Sequence, residues 1–265
     1  MLPTLFLSHG APYLPIVASP ARDFLRQLGT LFERPKAILA VSAHWETPEP
    51  MVSAVTKNST IHDFRGFPQE LYDMQYPAPG SPELASRVAA LLAEAGLPAK
   101  TDFNRGLDHG AWVPLILAYP NADIPVVQLS VQTHLGPEHH LRVGRALEVL
   151  RAEGVLIVAS GSFTHNLREF FHADEEIEEE PRWVTSFADW FDRALIENRI
   201  DDLLNYRETA PEAARNHPTE EHLLPLYAAL GAAGEAAAAE RLHSSADRGI
   251  VRLDAYSFSK PSIGA

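Results

Sequence analysis

The chain has 265 residues, 46% of them hydrophobic and 22% charged, close to the soluble globular average and long enough to bury a sizeable core. Its 22 basic and 35 acidic residues give a formal net charge of −13, which disfavours nucleic acid and anionic membrane surfaces as partners. It has no cysteine, which excludes disulfides, thiolate metal sites and cysteine nucleophiles and leaves imidazole and oxygen ligands for any metal.

Met1 to Leu7 is apolar, but it has no basic region or cleavage site and is too short to span a bilayer. It reads as a buried first strand, Pro3 to Ser8, and with the lack of cysteine it points to the cytoplasm. Ala21 to Phe32 has apolar residues spaced by three and four and predicts a helix, followed by a strand over Ala37 to Ala43. Pro82 to Ala95 predicts the next helix, and a shorter one is expected over Ala111 to Tyr119. Ile124 to Val131 and Val155 to Ser160 read as strands on either side of a helix over Pro137 to Glu153. The acidic run Asp174 to Glu180 reads as a solvated loop. Trp183 to Glu197 and Pro218 to Leu230 predict helices, the second with Pro218 in its first turn and Gly231 just past its end. The Ala-rich stretch Gly231 to Glu240 reads as a flexible connection or a helix, and Arg248 to Phe258 as a further strand.

Near-continuous Val, Ile, Leu and Ala in the strands suits burial on both faces. Strands alternating with helices predict a three-layer α/β domain, with a central mostly parallel sheet and helices on both faces. No repeat or long linker divides the chain, so residues 1–265 are expected to form a single domain.

The chain has twelve histidines, and their positions carry the functional reading. His9 directly follows the first strand, His44 ends the second, and His165 lies just beyond a later one, in Ser160-Gly161-Ser162-Phe163-Thr164-His165. If these strands are parallel, the three imidazoles share the sheet edge where α/β proteins place their sites. Imidazole is the commonest protein ligand for first-row metals. One strand-end histidine is usually a hydrogen-bonded structural residue; three behind three separate strands suggest a cluster. His109 precedes the short helix over Ala111 to Tyr119, where Asp108 or His109 is a candidate cap. His217 is placed at the entrance of the Pro218 helix and His222 a turn inside, on the face of Pro225, Leu226 and Ala229, with Glu221 roughly 100° away. His62 is an intermediate candidate, whereas His134, His139, His140, His172 and His243 have no ligand-like context.

Several motifs together resemble the 4,5-DOPA extradiol dioxygenase family, within the wider LigB-type, class III extradiol dioxygenases. They are Ser8-His9-Gly10, Ser42-Ala43-His44-Trp45, Thr60 to Pro68, Tyr76 to Pro82, Asp108-His109-Gly110 and Ser160 to Asn166. Pro218 to His222, followed by Leu224-Pro225-Leu226, also fits. The motifs run in order along almost the whole chain, and the resemblance implies one LigB-like extradiol-dioxygenase catalytic domain over 1–265. It implies that His9, His44 and His222 are metal ligands, that His165 is the catalytic acid/base, and that His109 is a second histidine facing the substrate. The wider LigB-type group has a Glu as third ligand, whereas here the matching position is His222, with Glu221 beside it. Three neutral ligands leave the metal more positive, which makes Zn(II) a plausible occupant of the site, whereas Fe(II) is expected for activity because reaction with O2 calls for a redox-active metal. The implied reaction opens the ring of a DOPA-like catechol with O2, giving a muconic semialdehyde-type product.

A zinc-dependent hydrolase using the same histidines is the main rival, with Glu221 or Asp108 as base, although no His-Glu-x-x-His motif supports it. Gly161-Ser162-Phe163 is not a serine-hydrolase elbow, and the glycine fingerprint of nucleotide-binding folds is missing. A non-catalytic binding protein on the same scaffold would have no need of an acid/base residue at His165.

Overall fold

The computed structural model describes residues 1–173, 179–235 and 237–260. Its strands are β1 (Thr4–Ser8), β2 (Ala37–Glu46), β3 (Met51–Ser53), β4 (Lys100–Asp102), β5 (Val126–Val131), β6 (Val155–Gly161), β7 (Ala238–His243), β8 (Ala246–Asp247), β9 (Val251–Arg252) and β10 (Ala255–Ser259). The first helices are α1 (Pro20–Leu31), α2 (Gln69–Asp73), α3 (Pro82–Glu94), α4 (His109–Ala118), α5 (Gly136–Leu147) and α6 (Leu167–His172). They are followed by α7 (Arg182–Ile196), α8 (Ile200–Leu204), α9 (Tyr206–Thr209), α10 (Ala213–Asn216) and α11 (Leu224–Ala233).

Four parallel strands in the order β5-β2-β6-β1 form the middle of the main sheet. On one side β10 and β7 add antiparallel; on the other β3 runs antiparallel to β5 and parallel to β4. β8 and β9 form a separate antiparallel ribbon. The mostly parallel α/β architecture expected from the sequence is therefore present, with antiparallel margins.

Successive side chains of a strand point to opposite faces, and here both faces are covered. In β2, Leu39 and Val41 join one core while Ile38 and Ala40 join the other; in β6, Ile157 and Ala159 oppose Leu156 and Val158. The first core is closed by α3, α5, α7 and α11 through residues such as Val88, Leu141, Phe187 and Leu226. The second is closed by α1 and α4 through Leu25 and Trp112. Each large apolar side chain buried in this way contributes about 1.5–3 kcal/mol. Ser19, Ser81 and Asp108 cap α1, α3 and α4 by accepting a backbone N–H three residues on.

Several expectations need correction. The helix expected over Pro137 to Glu153 is α-helical only to Leu147, and a 3₁₀ turn over Glu148–Arg151 follows. There the buried Arg151 donates to the Ala232 and Ala233 carbonyls at the end of α11. The helix expected over Pro218 to Leu230 begins only at Leu224, and residues 218–223 are turns. Pro225 is the physical reason. It has no N–H to donate four residues back, so it suits a first turn and not the middle of a helix. Gly231 is not the stop either, because α11 runs on to Ala233 and ends at Gly234, with φ +88°. Gly231 instead lets α5 approach, since a Cβ there would lie 2.1 Å from the Leu141 carbonyl oxygen.

The stretch Gly231 to Glu240 is not one helix: its first residues finish α11, its last start β7, which pairs with β10, and residue 236 lies outside the described residues. Residues 174–178 of the acidic run lie outside the described residues. Glu180 is paired with Arg252 at 2.7 Å, so the run is not uniformly solvated. Among the described residues, no helix is long and apolar enough to cross a membrane.

Candidate metal centre

Ser8 pairs with Gly161 and Ser42 with Ser160, so the C-terminal ends of β1, β2 and β6 share one edge. His9 follows β1, His44 lies two residues before the end of β2, and His165 follows the short turn after β6. His109 opens α4 behind its cap Asp108, which settles which of the two is the cap. His222 arrives from the turn before α11. Its carbonyl accepts the Ser162 N–H at 2.9 Å, which a helical position would have reserved for α11. The chains approach closely there, because a Cβ on Gly161 would lie 2.0 Å from that carbonyl oxygen.

Three imidazoles meet at this edge. Nε2 of His44 lies 3.0 Å from Nε2 of His9 and 3.3 Å from Nε2 of His222. Two nitrogens about 2.1 Å from one ion are about 3.0 Å apart at a right angle and about 3.4 Å apart at a tetrahedral angle. The spacing and the donor type therefore fit one divalent first-row metal. Two further groups, His44-Asp63-His109 and His165-Glu221-His222, have ligand atoms within similar reach, but each shares a histidine with the first. They extend one cluster and do not make a second.

The opposite ring nitrogens explain the arrangement. Nδ1 of His9 lies 3.0 Å from Ser160 Oγ, Nδ1 of His222 lies 2.9 Å from Glu221 Oε1, and Nδ1 of His44 lies 3.5 Å from Asp63 Oδ2. A proton held on Nδ1 leaves the Nε2 lone pair free to face the common point. Burial, with the neighbouring imidazoles adding to it, pushes His9 and His222 well below the usual histidine range. His44 falls to about 3, by burial and then His109, against the opposing pull of Asp63. All three are neutral near pH 7, the form that binds metal.

His109 and His165 flank the trio, the first against His44 and the second against His222. The ring centroid of His109 is 3.9 Å from that of His44, and its Nδ1 is 3.0 Å from Asp63 Oδ2. Its backbone N–H donates to Asp63 Oδ1 at 2.9 Å. Burial pushes the Asp63 carboxyl up, and His109 beside it outweighs this and holds it at about 2. The His165 ring stacks on His222 with centroids 3.5 Å apart and planes 14° from parallel. Burial lowers His165 to about 4 although Glu221 opposes it. His9 and His165 line a small cavity with an apolar wall of Ala11, Leu167, Phe170 and Val251. Asp247 borders this cavity and also a wider open cleft of about 650 Å³.

The remaining candidates fall outside the cluster. His217 is fully buried and its Nε2 donates to the Phe163 carbonyl at 2.9 Å. His62 donates to the Met74 carbonyl and packs among Phe64, Tyr72 and Trp112. His140 sits between the Gly136 carbonyl and the Gln132 N–H, and His134 joins none of the metal-capable groups among the described residues. Sequence reasoning missed Asp63, Ser160 and the orienting position of Glu221. Asp63 adjoins a histidine in a recognisable segment, but only long-range contacts reveal its role.

A mostly parallel α/β sheet whose strand ends gather neutral imidazoles, with His109 against the trio and His165 beside a cavity, defines a metal-dependent enzyme. Residues 3–252 match the family model described as the catalytic LigB subunit of aromatic ring-opening dioxygenase. The chain belongs to the LigB family. It is 47% identical over 260 residues to "4,5-DOPA dioxygenase extradiol" of Beta vulgaris, covering 97% of this chain and 96% of that protein. It is 43% identical over 236 residues to the protein of the same name from Escherichia coli strain K12, covering 87% and 85%. In shape it resembles the crystal structure of an uncharacterized Escherichia coli K12 protein, with TM-score 0.80, 34% identity and coverage of 97% and 99%.

Proposed function

We propose that this protein is a single catalytic domain that opens the aromatic ring of a DOPA-like catechol with O2, extradiol to the hydroxyls, with Fe(II) as its working metal. The observation that carries the reading is the convergence of Nε2 of His9, His44 and His222, with His165 and His109 beside the same point. Those three histidines would hold the metal, and Zn(II) suits the same neutral donor set. When bound, the iron overcomes the spin barrier between a singlet catechol and triplet dioxygen and favours the catechol as an anion.

The chain's own residues supply the rest. His165, neutral and next to the cavity, takes a proton from a catechol hydroxyl and returns it later, work suited to an imidazole. His109, anchored by Asp63, orients the ring and steadies charge that develops on the substrate oxygen. Ala11, Leu167, Phe170 and Val251 give the substrate ring an apolar surface beside His9 and His165. The adjoining cleft leaves room for a substituent on the ring.

Neither carboxylate that the hydrolase reading names as its base is free. Glu221 is engaged with His222 Nδ1. Asp108 is fully buried and accepts from Ser42 Oγ, Arg105, Gln128 and the Ala111 N–H. The test is oxygen consumption after anaerobic loading with Fe(II), across a panel of catechols. One O2 consumed per ring opened, with a yellow semialdehyde-type absorbance, is expected. Ester or amide hydrolysis by the zinc-loaded protein without oxygen uptake from any catechol would reverse the assignment.

A further inference from the structure

A short chain of contacts leads from His9 through Ser160 to the first turn of α4. Ser160 is fully buried in β6, and its Oγ lies 3.0 Å from His9 Nδ1. The same hydroxyl donates to the Gly110 carbonyl in the first turn of α4. In a regular helix that carbonyl would accept the N–H of residue 114. Residue 114 is Pro, inside α4, and has no N–H to give.

A hydroxyl has one proton. A carbonyl can only accept, so that proton is committed to Gly110. The Ser160 oxygen can then only accept from His9, which requires the proton of the neutral ring to sit on Nδ1. The Nε2 lone pair is left pointing toward Nε2 of His44, 3.0 Å away. We infer that Ser160 is a positioning residue that locks His9 in its Nδ1–H tautomer, and that Pro114 secures the lock by leaving the Gly110 carbonyl to the serine. The other two rings of the trio face carboxylates, and His9 alone of the three relies on a hydroxyl whose direction must be set from outside. The inference rests on the reading of His9 as a metal ligand.

The test needs no turnover. Long-range ¹H–¹⁵N spectra of the metal-free protein report which ring nitrogen of His9 is protonated. Competitive titration with Zn(II) reports affinity for wild type, Ser160→Ala, Pro114→Ala, the double variant and His9→Ala. The inference expects Nδ1–H in wild type, a shift toward Nε2–H in Ser160→Ala, and affinity about 10–100-fold weaker in that variant. Pro114→Ala restores a helical N–H for Gly110, so the double variant should regain folding stability while its metal affinity stays weak. An Nε2–H tautomer in wild type overturns the inference. So does a double variant whose affinity returns with its stability, since Ser160 would then act only through the fold of α4. Undiminished Zn(II) affinity in His9→Ala is a separate outcome, which removes the ligand reading itself.

Discussion

His44→Ala should lose metal and activity together. The Nε2 of His44 lies 3.0 Å and 3.3 Å from those of the other two, so its removal leaves only two of the three converging nitrogens. Loss of an outer hydrogen-bond partner of a ligand costs about 10–100-fold in metal affinity, and loss of the ligand itself should exceed that. Ring opening should fall at least as far, because both substrates depend on the metal for activation. The fold should survive, since the His44 side chain is 21% exposed and belongs to neither apolar core. Metal content after dialysis, thermal unfolding and oxygen uptake measured on one preparation check this. A His44→Ala protein that keeps its metal and its rate contradicts the assignment.

His165→Ala should show the opposite pattern. Its ring lies against His222 but brings no member to the trio of converging Nε2 atoms. Metal content should therefore stay near the wild-type level while turnover falls by about 10²–10⁴-fold, the range for loss of a general acid/base. The stacked ring also supports His222, so Gln is the better second substitution, because it keeps much of the volume without the titrating nitrogen. Substantial metal loss in both His165→Ala and His165→Gln would mean that the acid/base and ligand roles are exchanged between His165 and His222.

The parts legible in the sequence were those with strong periodicity. β1, β2, β5 and β6 stood out because both of their faces are buried, which forces continuous apolar runs. α1, α3 and α7 carried apolar stripes, and α1 and α3 also have serine caps followed by proline. β3 and β4 have three residues each and lie at one margin of the sheet, too short to show a period. β7 resembles a helix in composition, and only its pairing with β10 makes it a strand. The structure brings His222 to the cluster, but from a different local structure than the sequence suggests. It was placed on a helix face, whereas the turn enforced before Pro225 and the Ser162 bond to its carbonyl deliver it.

The site divides in the same way. His9, His44 and His165 were visible because each follows or ends a parallel strand, so the local sequence announces the edge. The Asp63, Ser160 and Glu221 contacts to ring nitrogens were not visible. Asp63 reaches His44 and His109 from a loop, and Ser160 reaches His9 across two neighbouring strands. No spacing rule along the chain encodes such pairs. Glu221 adjoins His222 in sequence, but whether it binds a metal or holds the ring depends on side-chain direction, and here its carboxylate meets Nδ1 at 2.9 Å.

The most direct measurement is X-ray absorption at the metal edge of the loaded wild-type protein. Three imidazole scatterers around a single ion, bound through Nε2, are expected, with one scatterer lost in a His222→Ala protein that still retains partial metal. A shell of carboxylate oxygens with one imidazole or none would contradict the account, because Glu221 or Asp63 would then be holding the ion in place of the histidines.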